Sequence, residues 1–297
     1  MTHKSNASGA TSDALRISGS TRVCAIIGDP IGHTLSPFIH NAAFRSLKQD
    51  LVYVPFHVRR SELAAAIDGF RSLGVLGINV TMPHKSQVMR FLDKIENTAK
   101  KIGAVNTIVT KNARLHGYNT DGEAAITALS HLGSLSGRKV LILGAGGAAR
   151  AIAYQLSKTA DSIVILNRTR SNGMLLASNI TKWNGIPSSS NDLNRSSLRR
   201  EAKSRDLLIN TLPVSVFPRF ANILIEERLV TRDMLVMDAN YEHESHFLEK
   251  ARLAGVKAID GLEMLIEQAA YSFKLWTGLD APIDVMRQAA ISERASR

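Results

Sequence analysis

The sequence predicts an α/β protein of two consecutive units, and three observations carry that reading. A chain of 297 residues holds about two domains at roughly 150 residues each. Short β-branched runs alternate with helical stretches along most of it, the mark of βαβ units over a parallel sheet. A Gly- and Ser-marked break, Gly133 to Gly137, separates one such series from the next.

The first series reads as strand Val23 to Ile27, a helix from Ser36, strand Tyr53 to Val58, a helix from Ser61 to Leu73 and strand Gly77 to Thr81. Ser61 and Glu62 ahead of Leu63, Ala66, Ile67 and Phe70 give that second helix a cap and a buried stripe at helical spacing. A strand from Ala104 to Thr110 leads into the turn-rich stretch Asn112 to Thr120, and a helix opens near Asp121. The second series starts with the apolar strand Val140 to Leu143, a helix to about Lys158 and strand Ser162 to Leu166. Further strands fall at Asp206 to Asn210, Met234 to Met237 and Val256 to Ile259, with Ser188 to Arg200 as an exposed loop. Gly261 to Trp276 and Ile283 to about Arg294 close the chain as amphipathic helices.

Met1 to Ser20 lacks any apolar run and reads as a disordered tail, without the core of a secretory signal or the pattern of a transit peptide. Hydrophobic residues make up 44% and charged residues 21%, too evenly interleaved for a membrane span of about 20 apolar residues. Only 5% of residues are aromatic, which disfavours a platform for stacking single-stranded bases. Cys24, the sole cysteine, excludes an internal disulfide or thiolate cluster and fits a reducing cytoplasm; in its apolar run it reads as core.

Net charge is +11, and residues 138–232 hold fifteen basic against six acidic residues, so most of the excess sits in one central block. No nucleic-acid-binding signature accompanies it. The field therefore reads first as a solvated surface and second as steering for a polyanionic cofactor, with no nucleic-acid or membrane partner expected.

Gly144-Ala145-Gly146-Gly147-Ala148-Ala149 follows a strand and opens a helix, the context of a dinucleotide fingerprint. The first glycine permits the turn, the second lets backbone approach a pyrophosphate, and the small third position allows close helix packing. Where an NAD site ends its second strand with an acid, this chain has Asn167-Arg168-Thr169-Arg170. Guanidiniums suit a ribose 2′-phosphate, so NADP is the expected cofactor; plain surface charge is the competing reading of Arg168 and Arg170.

Lys85 follows Asn79-Val80-Thr81-Met82-Pro83-His84 at the end of a strand, where open sheets place their crevice, and is expected to begin a helix. It is either a solvated lysine or a proton shuttle. Asn106 and Asp121 also stand at element ends, with helix capping the alternative for Asp121. His33, His40, His84 and His116 stand at no metal-ligand spacing, so polar packing is read for each and no metal site is expected. Met264 and Leu265 read as ordinary core.

The runs Gly28 to Pro37, Asn79 to Lys85, Gly103 to Thr107, Asn119 to Gly122, Gly144 to Ala148 and Asn167 to Thr169, with Asp260 to Gln268 and Trp276 to Gly278, together resemble the shikimate dehydrogenase family. The resemblance implies a substrate domain over 21–121, completed by 262–297, and a Rossmann-like NADP-binding domain over 122–261, with a cleft between them. It implies reversible reduction of 3-dehydroshikimate to shikimate, within aromatic amino acid biosynthesis. Lys85 and Asp121 match the family's catalytic pair, and Thr34, Ser36, Thr81, Asn106, Tyr241 and Gln268 match substrate contacts. Gly144, Ala145, Gly146, Gly147, Ala148, Asn167, Arg168, Thr169 and Arg170 match the cofactor site.

Departures from the family pattern are Thr34 for a serine, Leu212 for a threonine, Ser215 for a glycine, Asn172 for a basic residue and His243 for a proline. They leave the reaction class intact. Alternatives to keep beside it are a quinate or quinate/shikimate dehydrogenase and a catalytically silent NADP-binding regulatory homologue. The oligomeric state stays open, a homodimer being one option.

Overall fold

The computed structural model describes residues 17–242 and 245–297. The first sheet contains β1 (Arg22–Gly28), β2 (Leu51–His57), β3 (Gly77–Val80), β4 (Lys94–Ile95), β5 (Thr107–Lys111) and β6 (Arg114–Tyr118), in the order β2-β1-β3-β5-β6-β4. Its helices are α1 (Ser36–Ser46), α2 (Leu63–Ser72) and α3 (Asn97–Ile102). The strand β1 runs parallel to both neighbours, whereas β5 is antiparallel to β3 and to β6. The sheet is therefore mixed, where the alternation pattern suggested parallel pairing throughout.

The hairpin β5–β6 occupies the stretch expected to be only turn-rich. Asn112 and Ala113, with φ of 51° and 59°, form its two-residue tip between paired Lys111 and Arg114. Gly117 hides the strand in the sequence, yet a Cβ there would meet Leu92 Cδ1 at 2.5 Å. The helix expected from Ser61 is also entered differently. A 3-10 turn over Arg60–Glu62 precedes α2, and the Glu62 carboxylate accepts from the Arg59 backbone N–H at 3.2 Å, so Ser61 is no cap.

The second sheet is fully parallel, ordered β12-β11-β10-β7-β8-β9, from β7 (Lys139–Leu143), β8 (Ser162–Asn167), β9 (Ser188–Asp192), β10 (Leu207–Asn210), β11 (Leu235–Asp238) and β12 (Lys257–Asp260). Its connecting helices are α5 (Gly147–Leu156), α6 (Arg170–Asn184), α7 (Arg195–Ala202), α8 (Phe217–Glu226) and α9 (His246–Leu253). The run read as an exposed loop, Ser188 to Arg200, instead supplies β9 and most of α7. Pairing with β8 gives β9 its backbone bonds whatever its side chains, and Asn194 caps α7 by accepting from Ser197 N–H at 2.9 Å while Leu198 is buried.

The strand order reverses between β7 and β10, and ligand crevices form outside such a switch point. Between the sheets lies α4 (Asp121–Ser130), packed on both α5 and α10 (Gly261–Thr277). The chain then returns to the first sheet: α10 and α11 (Ile283–Ala295) share a hydrophobic cluster with β1, α1 and β2. At the other end, Ser20 and Thr21 hydroxyls donate to the Asp50 carboxylate at 2.7 and 2.6 Å, so the segment around Ser20 is tied down; residues 1–16 of the expected tail lie outside the described residues.

Candidate active site

Eight side chains singled out in the sequence, Thr34, Ser36, Thr81, Lys85, Asn106, Asp121, Tyr241 and Gln268, line one cavity of about 260 Å³. They come from six separate stretches of chain. A neighbouring groove of about 420 Å³ is lined by Gly144 to Arg150, Asn167 and Thr211 to Pro213, on the loops after β7 and β10. Thr81, Met82, Lys85 and Ala148 line both spaces, so Lys85 stands where they meet.

Lys85 does not begin a helix. It sits in a run of turns held from several sides: Thr81 N–H donates to the Ile27 carbonyl at 2.9 Å, His84 Nε2 to the Val58 carbonyl at 2.6 Å, and Val105 N–H to the Lys85 carbonyl at 2.8 Å. Lys85 Nζ then reaches Asp121 Oδ2 at 2.7 Å, with side-chain exposures of 22% and 4%. Asp121 is the first residue of α4, where the helix dipole favours an anion, and its carboxylate turns away from capping to meet Lys85.

Asn106 completes that carboxylate. Its amide donates to Asp121 Oδ1 at 2.7 Å, Thr120 Oγ1 at 2.9 Å and Gln268 Oε1 at 3.1 Å, while its own Oδ1 accepts from Thr120 N–H at 2.8 Å. Behind it, Asn79 accepts from the Tyr53 hydroxyl at 2.7 Å and donates to Ser272 Oγ at 3.0 Å. The floor of the cavity is thus a connected polar network with its partners inside the protein.

His33 and Glu242 line the cavity as well, and the sequence reading passed over Glu242 and over Arg297, which braces the loop beside it. Glu242 pairs with His33 at 3.3 Å, and Arg297 donates to the His33 carbonyl at 2.6 Å and the Thr34 carbonyl at 3.4 Å. No local pattern announces a contact between residues so distant in sequence. Burial pushes the Tyr241 phenol upward. Met264 and Leu265, read as plain core, also line the cavity. His243 lies outside the described residues.

The groove fits a dinucleotide. Gly144 has φ +108°, and a Cβ there would meet Thr211 Oγ1 at 2.4 Å, so the turn requires glycine. A Cβ on Gly146 would meet nothing within 4 Å, which leaves its backbone open to a phosphate. The N-terminus of α5 has no side-chain cap and no acid in its first turn, leaving N–H donors for an anion. Asn167 donates to the Thr169 carbonyl at 2.8 Å; Arg168, Thr169 and Arg170 are exposed beyond the groove, and Arg168 and Arg170 make no ion pair among the described residues.

The departures have structural places. Leu212 is buried with Phe217 and Val236, so its side chain fills core, and Ser215 and Asn172 are exposed. Burial pushes the Cys24 thiol up to about 12, in keeping with a core residue. His40, wholly buried and stacked on Tyr53 at 4.4 Å, is held down to about 3 by burial. No group of three or more metal-ligating side chains gathers among the described residues, and no helix there is long and apolar enough to cross a membrane.

Three family models match the chain: the shikimate dehydrogenase substrate binding domain over residues 26–108, shikimate / quinate 5-dehydrogenase over 125–210, and the shikimate 5'-dehydrogenase C-terminal domain over 261–291. A shikimate dehydrogenase (NADP(+)) of Methanothermobacter thermautotrophicus is 44% identical over 276 residues, 92% of this chain and 97% of its own. A crystal structure of a shikimate dehydrogenase in complex with NADP+ superposes with a TM-score of 0.85 at 39% identity, covering 94% of this chain and 97% of that one. The Thermus thermophilus shikimate 5-dehydrogenase in complex with NADP(H) and shikimate superposes with a TM-score of 0.78 at 30% identity, covering 91% and 99%. With that identity sustained over nearly the whole of both chains, and the family models falling on both ends and the middle of this one, the chain belongs to the shikimate dehydrogenase family.

Proposed function

We propose that the protein is an NADP-dependent shikimate dehydrogenase, reversibly reducing 3-dehydroshikimate to shikimate. One observation carries the chemistry: the Lys85–Asp121 pair stands at the junction of the small polar cavity and the dinucleotide groove. In this reading, residues 21–121 with 262–297 receive the substrate and 122–261 the cofactor, in a cytoplasmic enzyme to which the single buried Cys24 thiol is suited.

NADP bound in the groove supplies the nicotinamide that accepts hydride from the alcohol carbon, or returns it to the ketone. The alcohol oxygen sheds a proton as hydride leaves, and Lys85 Nζ takes it; in the reverse direction Nζ gives it back. Asp121, fixed by Asn106, holds the Lys85 amine on its line of approach. Thr34, Ser36, Thr81, Tyr241 and Gln268 offer hydroxyl and amide partners to a small polyhydroxylated acid. The free N–H groups of α5 take the pyrophosphate, and Arg168 and Arg170 take the 2′-phosphate.

A steady-state assay of the purified protein against shikimate and quinate, each with NADP+ and NAD+, tests this. Shikimate with NADP+ is expected to give the highest kcat/KM. Faster quinate oxidation would move the assignment to the quinate branch, and no turnover of either substrate would leave the silent regulatory homologue.

A further inference from the structure

A second polar cluster lies behind the two spaces and lines neither of them. Asp238, buried at the end of β11, accepts at one oxygen from Asn210 Nδ2 at 2.8 Å, Asn240 Nδ2 at 2.8 Å and Asn240 N–H at 3.1 Å. Burial pushes the Asp238 carboxyl upward, and these donors oppose that shift. Asn210 and Asn240 also grip both polar groups of one peptide residue. Leu212 N–H donates to Asn210 Oδ1 at 3.0 Å, and Asn240 Nδ2 donates to the Leu212 carbonyl at 3.1 Å.

Each end of this cluster reaches a different ligand space. Leu212 lines the dinucleotide groove, whereas Ala239, Tyr241 and Glu242, the chain neighbours of Asn240, line the substrate cavity. The Asn240 carbonyl accepts from Gly261 N–H at 3.0 Å, and a Cβ on Gly261 would meet the Ala239 carbonyl at 2.3 Å, so the 239–241 segment rests directly on the start of α10. That helix carries Met264, Leu265 and Gln268 into the cavity. The Asn240 amide is therefore the side-chain bond that reaches Leu212 itself, on the loop that meets the cofactor, from the loop that meets the substrate; Ala239 N–H to the Asn210 carbonyl at 2.9 Å and Asn210 to Asp238 tie the strand ends beneath it.

We infer that Asn240 is a positioning residue that couples the two ligands, so that seating the dinucleotide against the Leu212 loop sets Tyr241 for the substrate. The inference rests on the functional reading above. Coupling between sites is reciprocal, so shikimate tightens dinucleotide binding by the same factor that the dinucleotide tightens shikimate binding. Replacing Asn240 by alanine removes the amide bonds to Asp238 and Leu212 but keeps the backbone bonds to Asp238 and Gly261.

Calorimetric titration of the full chain with shikimate alone, NADPH alone, and each in the presence of the other tests this, a pair that cannot react because both members are already reduced. In the wild type a coupling factor of about 5-fold or more is expected. In Asn240→Ala the factor falls to within about 2-fold of unity while both binary affinities stay within about 2-fold of wild type, a split that loss of fold would not produce. Asn240→Ser, polar but too short to reach the Leu212 carbonyl, must behave the same way and stands in if the alanine variant fails to fold. Unchanged coupling in a folded variant, equal loss of both binary affinities, or no coupling in the wild type overturns the inference. Failure of the wild type to bind shikimate or NADPH at all overturns the functional reading and this inference with it.

Discussion

The substrate cavity and the dinucleotide groove are built on opposite principles. In the cavity the working side chains already hold one another: Lys85 on Asp121, Asp121 on Asn106, and Asn106 on Thr120 and Gln268. On the proposed function, recognition in the groove would fall to bare backbone at Gly144 to Gly147, and beyond it to the exposed guanidiniums of Arg168 and Arg170. A site that does proton chemistry must fix its groups beforehand, because a small misplacement costs rate. A site that only grips a long polyanion can leave its donors to water until the ligand arrives. Substitutions should therefore damage the two regions differently.

The largest effect belongs to the cavity. Lys85→Ala should lower kcat by about 10²- to 10⁴-fold with a much smaller change in KM, read from steady-state kinetics on protein whose fold is checked by circular dichroism. An ordinary kcat would remove Lys85 from the mechanism. Asp121→Asn should also depress kcat, and should raise KM if the carboxylate holds a substrate hydroxyl as well.

At the guanidiniums beyond the groove the response should be one of cofactor selectivity. Arg168→Ala forfeits a charge-assisted bond of about 1.5 to 3 kcal/mol, so kcat/KM with NADP+ should fall roughly 10- to 100-fold while that with NAD+ barely moves. Equal use of both cofactors by the wild type would break the contrast. Melting temperature should not change, since this guanidinium has no ion pair among the described residues to lose.

Asn106→Ala sharpens the comparison from the stability side. It strands Asp121 Oδ1 and Thr120 N–H in a buried setting, which should cost about 1–3 kcal/mol in urea unfolding as well as rate. Gly146→Ala offers the counterpart in the groove: a Cβ there meets nothing, so stability should hold while NADP+ binding weakens. A stable Asn106→Ala protein would show that the network is not braced as the bonds suggest.

The smallest effect is expected at Thr34. This residue lines the cavity, and its hydroxyl oxygen accepts from the Ser36 N–H at 3.2 Å. Thr34→Ser should keep that bond, remove the methyl and shift the shikimate-to-quinate ratio of kcat/KM a few-fold toward quinate, about 1 kcal/mol for one methyl. No shift would mean that the methyl does not face the ring carbon bearing the carboxylate.

Much of the second sheet was legible because its strands are continuous apolar runs, buried on both faces, and its first turn needs glycine. The β5–β6 hairpin and β9 were not. Gly117 and the serines of Ser188 to Ser190 form their strands through backbone pairing, which carries no side-chain signature. The position of Lys85 was read correctly at a strand's end, but its setting in turns instead of a helix depended on bonds from Val58, Ile27 and Val105.

The α/β class, the glycine turn and the residue types of both spaces can be read along the chain alone, since periodicity and side-chain chemistry are local properties. It takes the folded chain to bring Lys85, Asn106, Asp121 and Gln268 into one network, to set Arg297 on the Thr34 loop, and to lay Asn240 between two ligand spaces. Each of those facts is a distance between residues far apart along the chain, and such distances arise when buried polar groups must find partners inside the fold.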